Sequence, residues 1–120
     1  MQSRKFTDIF VIQHGAITAS GNSATIDLGL GEYSQLDIYI NVTAVSGTPN
    51  NAIKLQLSND GGTTWFDHPS VTFTAMTAIS QQVKLDSPVG GATHARLNYT
   101  VTGGTPSLTT KITAQVRTRG

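Results

Sequence analysis

The chain has 120 residues, a net charge of +1, only 12% charged residues and no cysteine. That length suits one domain with an ordinary core, and the missing cysteine excludes a disulfide framework and a thiolate metal site. So little charge excludes an electrostatic case for binding nucleic acid or an anionic membrane.

The start, Met1-Gln2-Ser3-Arg4-Lys5, is basic, but Thr7, Asp8 and Gln13 interrupt the apolar run behind it. It is too short and too broken for a secretion signal, and nothing approaches a membrane span, so a soluble protein made without export is expected. Phe6 to Gln13 reads as a strand, and Ala16 to Ser20 as a second, punctuated by Gly21-Asn22. Ser23 to Leu28 alternates polar and apolar, as a half-buried strand does. Tyr33 to Val45 alternates most clearly, with Leu36, Ile38, Ile40 and Val42 on one face and Asp37, Tyr39, Asn41 and Thr43 on the other. A turn cluster, Ser46 to Asn51, leads into a strand over Ala52 to Leu57.

That strand runs into Ser58-Asn59-Asp60-Gly61-Gly62-Thr63-Thr64-Trp65. Asp-Gly-Gly is strong turn chemistry, because glycine accepts φ > 0 without steric cost and Asp bonds the backbone beside it. Trp65-Phe66 restarts an extended segment with high β propensity. Ser58, Asp60, Gly61, Gly62, Thr64 and Trp65 are therefore assigned to a structural hairpin. Trp65 is expected to be substantially buried, with Trp65→Ala costing about 3 to 5 kcal/mol. Further strands are expected at Val71 to Thr74, Ile79 to Leu85, Thr93 to Val101 and Leu108 to Arg117. Asp86-Ser87-Pro88 closes the second of these, and Gly103-Gly104-Thr105-Pro106 separates the last two. No window carries sustained helical periodicity with caps. The fold class is all-β: an antiparallel β-sandwich or jelly roll of about eight short strands.

Ile40 to Pro49 echoes Leu97 to Pro106, each copy being strand, Gly-Thr-Pro turn, strand. A duplicated unit would give two similar hairpins, one per sheet. Convergence of Gly- and Pro-containing turns on similar text is the alternative.

Candidate chemistry is sparse. His14, His68 and His94 stand far apart and none has ligand spacing. The acidic residues are scattered singly, so no carboxylate pair is set up for glycoside or two-metal hydrolysis. Asp60 lacks the ligand pattern of an EF-hand. Asn41-Val42-Thr43 and Asn98-Tyr99-Thr100 match the glycosylation acceptor pattern, which carries little weight without a secretion signal. Ser58-x-Asp60-x-Gly62-x-Thr64-Trp65 fits the Asp-box of sialidase-like propellers, but one copy cannot build a propeller. Trp65 with a tyrosine offers the only hint of a sugar-stacking platform. No enzyme activity, metal or cofactor is expected.

One ensemble does point to a family. It comprises the Gly-Thr-Pro turn, Leu57-Ser58-Asn59-Asp60-Gly61-Gly62-Thr63-Thr64-Trp65-Phe66-Asp67, the Thr-rich link, Gln81-Gln82-Val83-Lys84-Leu85, and Ala95 to Leu108. Over about residues 35 to 117 this resembles small structural proteins of tailed bacteriophages, particularly head decoration or cement proteins. The resemblance implies a non-enzymatic virion protein, made in the bacterial host cytoplasm. It would bind the major capsid protein on the outer surface of the head, often as a homotrimer, without nucleic acid or membrane. Two alternatives stay open: a carbohydrate- or receptor-binding module, with glycan as partner, and a tail or neck connector. The whole chain, residues 1–120, reads as one domain with basic arms at 1–5 and 117–120. Arg4, Lys5, Arg117 and Arg119 hold half of the eight Lys and Arg residues. They are the candidate attachment residues, since short basic arms can order on an acidic partner.

Overall fold

The computed structural model describes residues 7–29 and 33–118. The alternating segments become nine antiparallel strands: β1 (Thr7–Ile17), β2 (Gly21–Asn22), β3 (Ile26–Asp27), β4 (Tyr33–Ser46), β5 (Asn50–Ser58), β6 (Phe66–Thr72), β7 (Ser80–Pro88), β8 (His94–Thr102) and β9 (Ser107–Thr118). No helix occurs among the described residues.

One sheet has the order β1-β9-β4-β7, and the other β2-β8-β5-β6 with β3 also paired to β8. β2 and β3 lie end to end along β8, opposite Asn98–Tyr99 and His94–Ala95, and act as one interrupted strand. Counted so, the chain changes sheet at every connection but one, β5 to β6. That is jelly-roll connectivity, two sheets wound from both ends of the chain. It decides between the two architectures the sequence allowed.

The strands are longer than expected, 14 residues in β4 and 12 in β9. The first two sequence segments fuse into β1, because Gly15 at φ 123° continues the ladder opposite Thr110 instead of ending it. Conversely, Ser23 to Leu28 is paired to β8 only at Ile26 and Asp27. Its first residues make other bonds: Ser23 N donates to Leu97 O at 2.9 Å and Ala24 N to Ile12 O at 3.0 Å. The segment therefore tacks the end of one sheet to β1 of the other.

Leu36, Ile38, Ile40 and Val42 of β4 and Leu108, Ile112, Ala114 and Val116 of β9 form one wall of the core. Ile53 and Leu55 of β5 and Ala95, Leu97 and Tyr99 of β8 form the other, with Ile26, Leu28 and Met76 closing it. Each fully buried aliphatic contributes roughly 1.5 to 3 kcal/mol of transfer free energy. Burial also pushes the Tyr99 phenol above its ordinary pKa, opposed by a bond to Ser23.

The internal echo has a structural meaning that differs from two hairpins. Each Gly-Thr-Pro turn carries the chain from one sheet to the other: β4 to β5, and β8 to β9. β4 pairs with β9 and β5 with β8, so the two copies clasp each other. Their turns touch. Thr48 N donates to Gly104 O at 3.0 Å, and Gly104 N donates to Thr48 Oγ1 at 3.0 Å. The backbones lie so close that a Cβ on Gly47 would stand 2.5 Å from Gly104 O, and one on Gly103 would fall onto Thr48 O.

Candidate functional site

The β5–β6 turn lies at the end of the sandwich opposite those corners, since Ser58 pairs with His94 while Asn50 pairs with Thr102. Its six hairpin residues are held by one hydrogen-bonded cage. Ser58 Oγ donates to Asp60 Oδ1 at 2.8 Å and accepts from Gly62 N at 2.9 Å. Asp60 Oδ1 also accepts from Thr64 N at 2.8 Å and Thr63 N at 3.1 Å. Those bonds, the Thr64 amide first and the Ser58 hydroxyl next, hold the Asp60 carboxyl at a pKa of about 2. Thr93, far away in sequence, completes the cage. Its hydroxyl accepts from Gly61 N at 3.1 Å and its N–H donates to Ser58 O at 2.8 Å. Nothing near the hairpin in sequence signals that partner.

Trp65 departs from the expectation of burial. It is half-buried and lies outside the core cluster. The ring folds back over its own loop, with Nε1 donating to Gly62 O at 3.1 Å. The Arg96 guanidinium lies over it, 4.2 Å from the ring centroid. The physical reason is position. Gln56 and Asp67 pair on the outer face of the β5–β6 ladder, and Trp65 precedes that pair outside the strand.

Arg96 belongs to a polar chain across the outer face of the β2-β8-β5-β6 sheet. Its Nε donates to Gln56 Oε1 at 2.9 Å, Gln56 Nε2 donates to Asp67 Oδ1 at 2.9 Å, and Lys54 Nζ donates to Asp67 Oδ2 at 3.2 Å. The Gln56 and Lys54 bonds hold the Asp67 carboxyl below its ordinary pKa. Asn98 Nδ2, on the same face, donates to Asn22 Oδ1 at 2.9 Å.

The outer face of the other sheet carries more exposed apolar side chains. Val11, Thr113, Tyr39 and Val83 make one row across all its strands, because Thr113 pairs with both Val11 and Tyr39 and Tyr39 pairs with Val83. Ile9, opposite Gln115, starts the next row, and Leu85 follows Val83 along β7. Ile9 is 67% exposed, Val11 54%, Tyr39 40%, Val83 49% and Leu85 58%. Among the described residues, five of the seven exposed large hydrophobics thus share one sheet face.

The attachment residues fare differently from one another. Arg4, Lys5 and Arg119 lie outside the described residues. Arg117 belongs to β9 rather than to a tail, opposite Thr7 and Gln35. Its guanidinium bonds Asp86 and, at 3.1 Å, the buried Asp37. Those carboxylates, Asp86 first, raise its pKa above the ordinary value. Asp37 Oδ1 further accepts from Asp86 N at 2.7 Å, where the register shift between Leu36 and Ile38 places Asp86 at φ 53°. Arg117 is thus a clamp between β9, β4 and β7.

The histidines serve turns and edges. His68 Nδ1 accepts from Ser70 N at 3.2 Å and Val71 N at 3.1 Å, so Nε2 carries the proton and donates to Pro88 O at 2.7 Å. His94 Nδ1 meets Thr93 Oγ1 at 3.0 Å, and His14 stands exposed opposite Lys111. Among the described residues no group of three His, Cys, Asp or Glu could hold a metal ion.

No protein-family model matches the sequence, and no curated protein matches it. Solved structures do match in fold. The SPBc2 prophage-derived protein YomS aligns with a TM-score of 0.60 at 14% identity, over 98% of each chain. The VP2 subviral particle of infectious bursal disease virus aligns with a TM-score of 0.61 at 9% identity. That match covers 98% of this chain but 33% of VP2, so the chain spans about a third of that protein. PirA aligns with a TM-score of 0.50 at 10% identity, over 96% of each chain. Identities this low establish a shared fold, and a jelly roll hosts many functions.

Proposed function

We propose that the protein is a non-enzymatic structural component of a tailed-phage particle, of the head-decoration type, attached to the outside of the shell. The observation that carries this reading is the row Val11–Thr113–Tyr39–Val83, with three exposed apolar side chains and with Ile9 and Leu85 beside it, on the outer face of the β1-β9-β4-β7 sheet. A small protein that gathers most of its exposed large apolar side chains on one sheet face is marking an interaction surface. The opposite face is polar and internally bonded, so the molecule has a docking side and a solvent side. The jelly-roll likeness to a prophage-derived protein over nearly the full length of both chains, and to a viral particle protein, supports the same class.

In this reading the apolar face rests on the major capsid protein. The chain assembles as a homotrimer, whose cyclic symmetry can match a three-fold or quasi-three-fold site without leaving a propagating patch. Residues 1–5 remain a candidate second contact. Arg117 does not, because its charge is engaged by Asp37 and Asp86. The test is co-sedimentation with expanded, undecorated capsids of the phage that encodes the chain, comparing wild type with Tyr39→Glu and Val83→Glu. Such solvent-facing substitutions alter stability by about 0.5 kcal/mol or less. Binding should fall sharply while melting temperature holds. Unchanged binding by both variants refutes docking through this face, and binding to tail or neck assemblies instead of heads moves the protein to the connector class. Sedimentation velocity of the free protein tests the trimer.

A further inference from the structure

We propose that Arg96, stacked on Trp65, is a preformed recognition site for a carboxylate on an acidic peptide segment of a partner protein. It lies on the outer face of the β2-β8-β5-β6 sheet, so it is separate from the apolar docking face and does not depend on it. Four side chains fix the guanidinium before any ligand arrives. The Arg96 Cζ lies over the Trp65 ring, 4.2 Å from its centroid, and Trp65 is itself tied to Gly62 O at 3.1 Å. Gln56 Oε1 takes Nε at 2.9 Å, Asp67 holds Gln56 at 2.9 Å, and Lys54 holds Asp67 at 3.2 Å.

The two terminal NH2 groups of Arg96 make no bond to any described residue. Among the described residues, three acids of this end of the sheet are engaged elsewhere. Asp67 is taken by Gln56 and Lys54, Asp27 caps Gly29 N at 2.8 Å, and Asp60 holds its own loop. The group bonded to Arg96 is a neutral amide, and no described carboxylate bonds its guanidinium. A guanidinium whose stem and plane are already ordered loses little rotamer entropy when its fork closes on a carboxylate.

The ligand class follows from the same geometry. The fork suits a planar monoanion, and Lys54, the other Lys or Arg of this face among the described residues, is engaged by Asp67, which leaves a phosphate dianion half matched. A sugar acid would need an open aromatic face to stack on, and Arg96 occupies one face of this half-buried ring. An acidic side chain needs only the fork.

Trp65 is the only tryptophan, so its emission and its indole N–H resonance report on the site directly. The full chain is titrated at low ionic strength with a blocked hexapeptide alternating glycine and glutamate. The glutamine version, trigalacturonate and inorganic phosphate serve as the other arms. The glutamate peptide should shift the Trp65 signals saturably, with a dissociation constant on the order of 1 mM for one isolated fork, and the glutamine peptide should not. Arg96→Lys, which keeps the charge but not the fork, should weaken binding roughly tenfold or more. Gln56→Ala should weaken it by less, and Lys111→Ala on the other sheet not at all. Variants are compared only after their amide spectra confirm the same fold. Equal binding by Arg96→Lys, or no Trp65 response to the glutamate peptide, overturns the proposal. A response to trigalacturonate or phosphate but not to peptide also overturns it, in favour of a small-anion site.

Discussion

Gly103→Ala is expected to be among the most damaging single-methyl changes in the molecule. Gly103 has φ 109°, a conformation that side chains other than hydrogen rarely adopt, worth about 1 to 3 kcal/mol of strain. The new methyl would also land on Thr48 O and stand 3.0 Å from Thr48 C, both backbone atoms that cannot swing aside. The corners must then part, which loosens the bonds Thr48 N to Gly104 O and Gly104 N to Thr48 Oγ1, each worth about 1 kcal/mol. The total is about 3 to 5 kcal/mol, or a fall in Tm of about 12 to 20 °C at roughly 4 °C per kcal/mol for a chain of this size. Gly61→Ala is the control. Its φ of 80° carries backbone strain, but the space around its absent Cβ is open, so about 1 to 2 kcal/mol is expected. Both variants are unfolded in urea and by heat beside wild type. Thr48→Val, made alone and on top of Gly103→Ala, adds a coupling test. Having already lost its bond, Thr48 should matter less in the double variant. Gly103→Ala costing no more than Gly61→Ala would refute the stacked corners.

Thr105 is a β-branched residue at φ 43°, so Thr105→Asn should stabilise the fold by about 0.5 to 1 kcal/mol, read as a raised urea midpoint; a lowered midpoint would mean the hydroxyl or methyl is needed. Trp65→Ala should cost about 2 kcal/mol, the sum of one hydrogen bond and an exposed cation–π contact, and a loss above 4 kcal/mol in urea unfolding would place the ring back in the core. Asp60 has a folded pKa of about 2 against about 3.9 unfolded. Its stabilising effect is therefore fully present above pH ~4 and lost as pH falls through ~2. The Tm gap between wild type and Asp60→Asn should close over that window, and a gap constant from pH 5 to 2 refutes the assignment.

Local chemistry was legible from the chain and long-range chemistry was not. The Asp60 turn is legible because every group bonded to the Asp60 carboxylate lies within six residues of Ser58. Thr93 and Arg96 escaped notice because only the β5–β8 ladder brings them beside Ser58 and Gln56. The Gly-Thr-Pro echo is visible in the sequence, but the pairing of its two copies is not. Two like segments can form separate hairpins or clasp each other, and period-2 text is the same for both. Arg117 looked like part of a terminal arm because its partners, Asp37 and Asp86, come from strands that join β9 only in the folded sheet.

The apolar outer face shows why alternation alone does not locate exposed surface. A period of 2 says which residues share a face, but not which face the core claims. In β4 the more apolar set turns inward, as patterning requires, and leaves Tyr39 outside. In β7 the order is reversed: Val83 and Leu85 face outward, while Gln82 and Lys84 lie half-buried beneath. They are turned there by the 73–79 connection, to which Gln82 is bonded through Thr74 N at 3.0 Å and Thr74 O at 2.8 Å, and over which Lys84 lies 5.9 Å from the Phe73 centroid. That cover removes the usual reason for β7 to bury its hydrophobics and frees them for the surface. Ile9 and Val11 join them from the far edge, and Tyr39 from the centre, so residues from three distant segments form one patch. Polar side chains beneath an edge strand, with valine and leucine above it, are the arrangement that the proposed docking through this face requires. The Tyr39→Glu and Val83→Glu variants probe that asymmetry where it is greatest.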